Sequence, residues 1–560
     1  MRDEQIRPGS TRRSHLTVAT YSRRALLRAG AGAAAGSLVV GMPRLAAAQD
    51  ATPPAIEGRI VSQVPGVPDA YTTLPAPYPA YEGTPADGGK VTALVVTYDP
   101  PLPGRDDNQY WQELEKRLGV ESYEPIFAPR PNYEERLAAT MAGGDLPDFV
   151  FLTPPSSIIE TILQGAFADL TPHLTGENLQ KYKNLAAIPE QTWKNVAING
   201  KIYGVPRPRF LGNDVMIWRQ DWADALGTPA PQHADALFSL MEAMSKNDPD
   251  GNGNTDTYGM MGDGFNLNDF LIQVFRAPNG WRVNDDGTMT ASVETEEYKM
   301  AIDYARRLWE AGAFHPDSLT LTSAQGTDLF NAGTVGSTTI GIINFLGSQG
   351  RRSQVQQINP DALVTGVVPM GHDGGQATYH QSRGFFGFTS ISAKAAQDEA
   401  RLEELLRILD YLAAPFGSEQ WLFNSYGLEG VHHTIDDTGT IQLTDEGKQE
   451  IGVLSGPQGI LAGLTNPPPV AFYDVPGQAE YMQQYQEQLL AIGIPDPAQP
   501  LYSATATESG AQLEQLVTDT TVSVVTGRDD MSAWDQMVSD WRSRGGDQVR
   551  QEYQEALANQ

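Results

Sequence analysis

No cysteine occurs in the 560 residues. Disulfide staples, thiolate metal sites, cysteine nucleophiles and a lipid-modified N-terminal cysteine are therefore excluded for this chain on chemical grounds. Positive charge is scarce as well: 39 Lys and Arg face 69 Asp and Glu, for a formal net charge of −30. A surface of that sign repels nucleic acid and anionic lipid at long range, so no nucleic-acid partner is expected. Long apolar runs are missing. The stretch 29–40 is short and rich in Ala and Gly, which argues against a permanent membrane span. No G-x-S-x-G elbow, H-E-x-x-H helix, phosphate-binding loop or dinucleotide fingerprint appears. Carboxylates are abundant, so counting alone does not exclude a glycosidase pair, which only its spatial separation would identify.

What is present begins with an address. The eight arginines among residues 1–48 form a basic island, and Ser22-Arg23-Arg24 precedes the small apolar run and then Ala46-Ala47-Ala48. A charged start, an apolar middle and a small-residue cleavage pattern make an export signal, and the paired arginines resemble the twin-arginine type. Cleavage is expected after Ala48, with the mature chain working outside the cytoplasmic membrane. From Gln49 to Gly89 there are eight prolines with scattered Tyr and no sustained period, so an extended tether is expected.

From Lys90 onward strands and helices alternate. Val91 to Tyr98 is an apolar β-rich run, and Trp111, Leu114 and Leu118 follow at helical spacing. Another helix over Tyr133 to Met141 stops at Gly143-Gly144, ahead of a second buried strand, Phe149 to Leu152. That order implies an α/β lobe with a mostly parallel sheet, whose ligands lie beyond the carboxyl ends of the strands, here Asp99 and Thr153 to Ser157. The length requires a second lobe. The stretch Asn199 to Gly227, with its turn, two prolines and second apolar run, is a natural passage between the two. Leu402, Leu405, Leu406, Leu409 and Leu412 mark a core helix face, as do Trp534, Met537, Val538 and Trp541. The adjacent His432 and His433 point to opposite faces of any strand and read as a loop or strand feature rather than a metal pair.

Several segments together, MAGGDLPD from Met141, GAFADLTPHL from Gly165, NGKIYGVP from Asn199, RQDWADALG from Arg219, DPDGNGNTDTYG from Asp248 and YGLEG from Tyr426, resemble the extracellular solute-binding proteins of family 1 over about Lys90 to Leu557. The resemblance implies an α/β, periplasmic-binding-protein-like fold: two α/β lobes, a hinge and an interlobe ligand cleft. Beside the signal peptide at 1–48 and the linker at 49–89 read from composition, it places lobe one at 90–210 with a return at 377–430, lobe two at 211–376, and mainly lobe two with C-terminal helices at 431–560. It also implies the binding component of an ABC importer, monomeric, that carries a carbohydrate such as an oligosaccharide to a membrane permease. A secreted carbohydrate-active enzyme and a ligand-presenting sensor component are the alternatives.

Sugar sites pair an aromatic platform with planar polar groups. Near the cleft that the family implies, the candidates are Asn213, Trp218, Arg219, Phe265, Asn266, Trp281, Arg383 and Tyr426. Arg207, Arg209, Arg219 and Arg383 around the crossings would make that cleft locally positive and favour a uronate-bearing sugar, although the global charge opposes polyanions; a neutral sugar stays open. Asp248, Asp250, Asn252, Asn254 and Asp256 place oxygens at alternate positions with Gly253 sixth, as a calcium loop does, so a structural calcium ion is expected. The twelfth position, however, is Gly259 rather than a bidentate Glu, and Thr257 stands where the alginate-binding members of the family carry an acidic ligand. A metal-free turn rich in Asp and Asn is the alternative.

Overall fold

The computed structural model describes residues 56–559 apart from 154–155, 229, 263–267, 437–438, 453–460 and 462; the export signal lies outside the described residues. A five-stranded sheet takes the order Ser122–Pro129, Lys90–Thr97, Phe149–Leu152, Phe385–Ile391, Val205–Pro208. Its first three strands are parallel, and Phe385–Ile391 runs antiparallel to both of its neighbours. The run that reads VTALVVT is central and covered on both faces, with Val91, Ala93, Leu94, Val95 and Val96 buried, as an unbroken apolar strand requires. The helix Gln109–Leu118 starts where the Asn108 side chain accepts the Trp111 N–H and ends at the left-handed Gly119. Its Tyr110, Leu114 and Leu118 join the same core as the Leu402 to Leu412 face.

A second sheet, of three antiparallel strands, centres on Asp214–Arg219 between Ser337–Gly341 and Val364–Gly366. Alternation along the central strand sends Met216 and Trp218 into one core and Val215 and Ile217 into another. Helices Ala234–Lys246 and Glu296–Glu310, with Trp534, Met537 and Trp541 from the C-terminal helices, pack on the first face; Gln478–Leu490 packs on the other.

The chain passes from the first sheet to the second at residues 208–214. It comes back through residues 379–385, where the Arg209 N–H donates to the Gly384 carbonyl at 2.8 Å and the Ser382 N–H to that of Leu211 at 2.8 Å. Gly384 has φ 76°, and a Cβ there would lie 2.8 Å from both Leu211 Cδ2 and Thr192 Oγ1, so the crossing requires glycine.

Residues 56–89 differ from the tether expected of them. Arg59–Ile60 and Ala70–Tyr71 form a small sheet with Ala471–Phe472. Ala70 is fully buried, the Tyr71 ring packs 4.7 Å from Phe416, and Tyr81 packs 5.5 Å from Tyr411. Prolines deny the strap a continuous ladder but leave its Val, Ala and Tyr side chains free to bury against distant segments.

Candidate functional site

A cavity of about 620 Å³ opens between the two sheets. From the first sheet come Thr153, directly after Phe149–Leu152, and Arg130 and Glu134 from the turn and helix that follow Ser122–Pro129. From the second come Asp214, at the start of its central strand, Gly341, at the end of Ser337–Gly341, and Ile343 and Asn344 just beyond it. The crossings supply Arg209, Asn213, Ser382 and Arg383, with Phe385 and Phe386 at the start of the returning strand. The Thr153 position is the carboxyl end of a parallel strand, where such sheets place their ligands. Asp99, at the neighbouring strand end, lies against Gly452 instead.

Arg130 Nη1 donates to Glu134 Oε1 at 2.8 Å, and Thr153 Oγ1 donates to the same oxygen at 3.1 Å, so this wall is internally paired. Asn213 Nδ2 donates to Asp214 Oδ1 at 3.1 Å, while desolvation by the cavity wall raises the exposed Asp214 carboxyl above the usual carboxylate range. The Arg209 guanidinium lies 5.5 Å from the centre of the Phe386 ring, and that ring stacks at 6.1 Å on Phe151. Arg209 Nη1 donates to the Pro208 carbonyl at 2.9 Å and, with the Asn466 amide turned to satisfy both of its ends, to the Asn466 oxygen at 2.9 Å. Desolvation by the cavity wall pushes the half-buried Arg209 down to about 10 and lowers Arg383, which is exposed to the cavity with its guanidinium 5.7 Å from the Phe385 ring. Arg207, two residues earlier and fully buried, faces the Phe151 ring and is pushed down to about 9 by burial and by the neighbouring Arg209 charge.

Of the residues named from sequence, Asn213 and Arg383 line the cavity. Trp218 does not: it is buried mid-sheet, its Nε1 donating to Gln220 Oε1 at 3.0 Å and Thr365 Oγ1 at 2.9 Å. The strand Asp214–Arg219 enters at the cavity and runs away from it, which carries Trp218 roughly 13 Å off at about 3.3 Å per residue. Arg219 is buried in an ion pair with Asp221 at 2.5 Å and lies over the Trp222 ring. Trp281 packs against Trp541 and, edge-on, Tyr553. Tyr426 packs on Trp421 and His433. Phe265 and Asn266 lie outside the described residues. The sequence reading passed over Arg130, Glu134, Asp214, Asn344, Ser382, Phe385 and Phe386. Only the last two carried a signal, a pair of aromatics directly after Gly384 at the return crossing.

The loop from Asp248 folds on itself. Asn252 Nδ2 donates to Asp250 Oδ2 at 2.9 Å and to Asp256 Oδ1 at 3.2 Å, while Asp248 accepts the N–H groups of Asn252 and Gly253 at 3.0 and 2.9 Å. Three carboxylates and an amide thus converge on one centre, and Asp250 is held above its ordinary range by burial and by the adjoining Asp248 carboxylate. A hard divalent cation suits such crowding of oxygen donors. At the twelfth position a Cβ would meet the Met241 carbonyl oxygen at 2.3 Å, so Gly259 leaves no room for a glutamate. Thr257 Oγ1 is spent on the Met244 carbonyl at 2.7 Å. His432 is spent in the first core: Nδ1 accepts the Leu428 N–H at 2.9 Å, so Nε2 carries the proton that meets Glu450 at 3.0 Å. His433 meets the Tyr426 carbonyl instead.

Two α/β bodies, joined by extended crossings and holding a polar cavity with rings at its hinge end, define a receptor for a small solute. The chain belongs to the bacterial extracellular solute-binding protein family, whose model matches residues 109–415. It is 28% identical over 483 residues to lipoprotein LipO of Bacillus subtilis, covering 83% of this chain and 92% of that one. It is 27% identical over 481 residues to the polygalacturonan/rhamnogalacturonan-binding protein YtcQ of the same organism, covering 84% and 91%. The fold matches that of the Streptococcus pneumoniae ABC-transporter substrate-binding protein FusA in complex with kestose, with TM-score 0.57, 18% identity and coverage of 84% and 100%. No helix among the described residues is long and apolar enough to cross a membrane.

Proposed function

We propose that the protein captures an oligosaccharide in the cavity between its two sheets, outside the cytoplasmic membrane, and delivers it unchanged to an ABC permease. The observation that carries this reading is that both sheets and the crossings contribute to one cavity wall. A solute touching both bodies binds the closed arrangement more tightly than the open one, and only that difference can drive closure. Phe386 is the aromatic surface for a sugar face, and Asn213, Asn344 and Ser382 are the hydroxyl partners. Family membership and the saccharides in the names of YtcQ and FusA support a carbohydrate. The first of those saccharides is acidic and the second neutral, so the relatives leave the solute's charge open.

Export through the twin-arginine segment and retention without a cysteine-linked lipid complete the reading, in contrast to a relative named as a lipoprotein. Calcium held by Asp248, Asp250, Asn252 and Asp256 braces the second body and takes no part in solute capture. A thermal-shift screen over mono- and oligosaccharides tests the function, because a ligand bound only by the folded state raises its stability by mass action. Stabilisation by saccharides that mass spectrometry recovers intact is the expected result. No stabilisation by any of them would overturn the reading, and their cleavage would replace it with a secreted carbohydrate-active enzyme.

A further inference from the structure

We infer that the solute is an anionic oligosaccharide and that a uronic acid carboxylate is received by Arg209 and Arg383 at the hinge end of the cavity. The inference rests on the reading of this cavity as the solute site and adds the chemical class that fills it.

The cavity wall carries three guanidinium groups, Arg130, Arg209 and Arg383, and two carboxylates, Glu134 and Asp214. These charges do not cancel pairwise. Arg130 is taken by Glu134 at 2.8 Å. Asp214 is exposed and accepts from the Asn213 amide, desolvation by the cavity wall raises its carboxyl above the usual range, and no ion pair to an arginine joins it among the described residues. Arg209 and Arg383 therefore face the cavity with carbonyl, amide and aromatic partners but no carboxylate among the described residues. Arg209 is half-buried, and taking such a charge out of water is costly unless a counter-charge replaces the hydration, whereas Arg383 is exposed to the cavity and loses its water only when a solute fills it. In a chain with net charge −30, carboxylates to neutralise these two arginines are plentiful, yet none among the described residues is placed beside them.

The two arginines lie on neighbouring crossings, tied by the Arg209 N–H to the Gly384 carbonyl at 2.8 Å. Each packs over a ring, Arg209 over Phe386 and Arg383 over Phe385. Such packing fixes the planes of the guanidinium forks, which match a planar carboxylate through paired N–H donors. Closure of the cleft removes water and strengthens the contact, so the anion completes the charge balance only in the closed form.

Calorimetry on the full-length mature protein tests this with trimers of galacturonate and of mannuronate, each beside its uncharged methyl ester, a neutral fructo-oligosaccharide and a sulfated disaccharide. At least one uronate trimer is expected to bind about tenfold or more tightly than its ester, the difference of one charge-assisted contact. In Arg383→Gln, whose native side chain makes only the ring contact among the described residues and whose fold is checked by its melting temperature, the ratio is expected to fall within about threefold. Equal affinity for acid and ester, or binding of the neutral sugars alone, would overturn the inference while leaving the solute-capture reading intact. Preference for the sulfated sugar would overturn the choice of carboxylate. Absence of any saccharide binding would overturn both readings.

Discussion

Asp496→Asn should stabilise the protein at pH 8 and leave it unchanged at pH 4. Asp496 lies in the turn after the short strand Gly493–Ile494, and its Oδ1 accepts the Ala498 N–H at 2.9 Å. Its carboxylate fits against Gly280, where a Cβ would come within 2.6 Å of Oδ2. Burial pushes the carboxyl from the ordinary 3.8 up to about 7. Between those two values the folded protein keeps a proton that the unfolded chain has released, so stability falls as pH rises through the window and levels off above it. At about 1.4 kcal/mol per unit the shift amounts to at most about 4 kcal/mol. Asparagine fixes the neutral form and keeps the acceptor for Ala498. The variant should therefore gain on the parent by a few kcal/mol between pH 4 and 8. The loss in the parent is felt at the return crossing, because Gly493–Ile494 pairs with Tyr379–His380 and Asn279 Nδ2 donates to the carbonyls of Gln381 at 2.9 Å and Ile494 at 3.0 Å. Denaturant midpoints across that pH range, with hydrogen exchange of the Tyr379–His380 segment as a local probe, make the measurement. A difference between variant and parent that does not change with pH would refute the reasoning.

Gly384→Ala forces a side chain into φ 76° and two contacts of 2.8 Å; a cost of about 1–3 kcal/mol in stability is expected, with weaker solute binding because Arg383 and Phe385 flank it. Calcium added to chelator-treated protein should raise the melting temperature, and Asp256→Asn should abolish that rise while solute affinity stays the same. Glu294→Gln removes the contacts of a buried carboxylate with Arg542 and Arg550, each at 2.6 Å. About 2 kcal/mol of local protection should be lost from the helix Asp547–Ala558, read by hydrogen exchange.

The sheets were legible because their strands are covered on both faces, which leaves unbroken apolar runs such as Val91 to Val96 and Phe149 to Leu152. The helix stop at Gly143-Gly144 was legible for a local reason as well: the helix ends at Ala142 and the backbone turns left-handed at Gly144, with φ 69°, where glycine fits. The packing of residues 56–89 was not. Its partners, Phe416, Tyr411 and Ala471, are hundreds of residues away, and proline content reports only the local conformation. Trp218 shows the same limit from the other side. The crossing before it was readable, but which end of the strand Asp214–Arg219 faces the cavity depends on pairing with Ser337 and Thr365, which no nearby residue signals.

That reversal changes how solute capture works. The cavity residues Arg209, Asn213, Ser382 and Arg383 belong to the crossings themselves rather than to the strands beyond them. A group bound there therefore touches the segments whose backbone angles must change when the bodies move. Phe386 couples the same point to the first core through its stack on Phe151, and Asp214 couples it to the second through the Tyr379 hydroxyl, which donates to the Asp214 carbonyl at 2.9 Å. On the proposed function a solute at the hinge end would meet both bodies where they join, and Thr153 and Asn344 line the same cavity farther out. On that proposal affinity and selectivity would separate: residues at the crossings would hold any acceptable solute, and residues of the outer walls would discriminate among solutes.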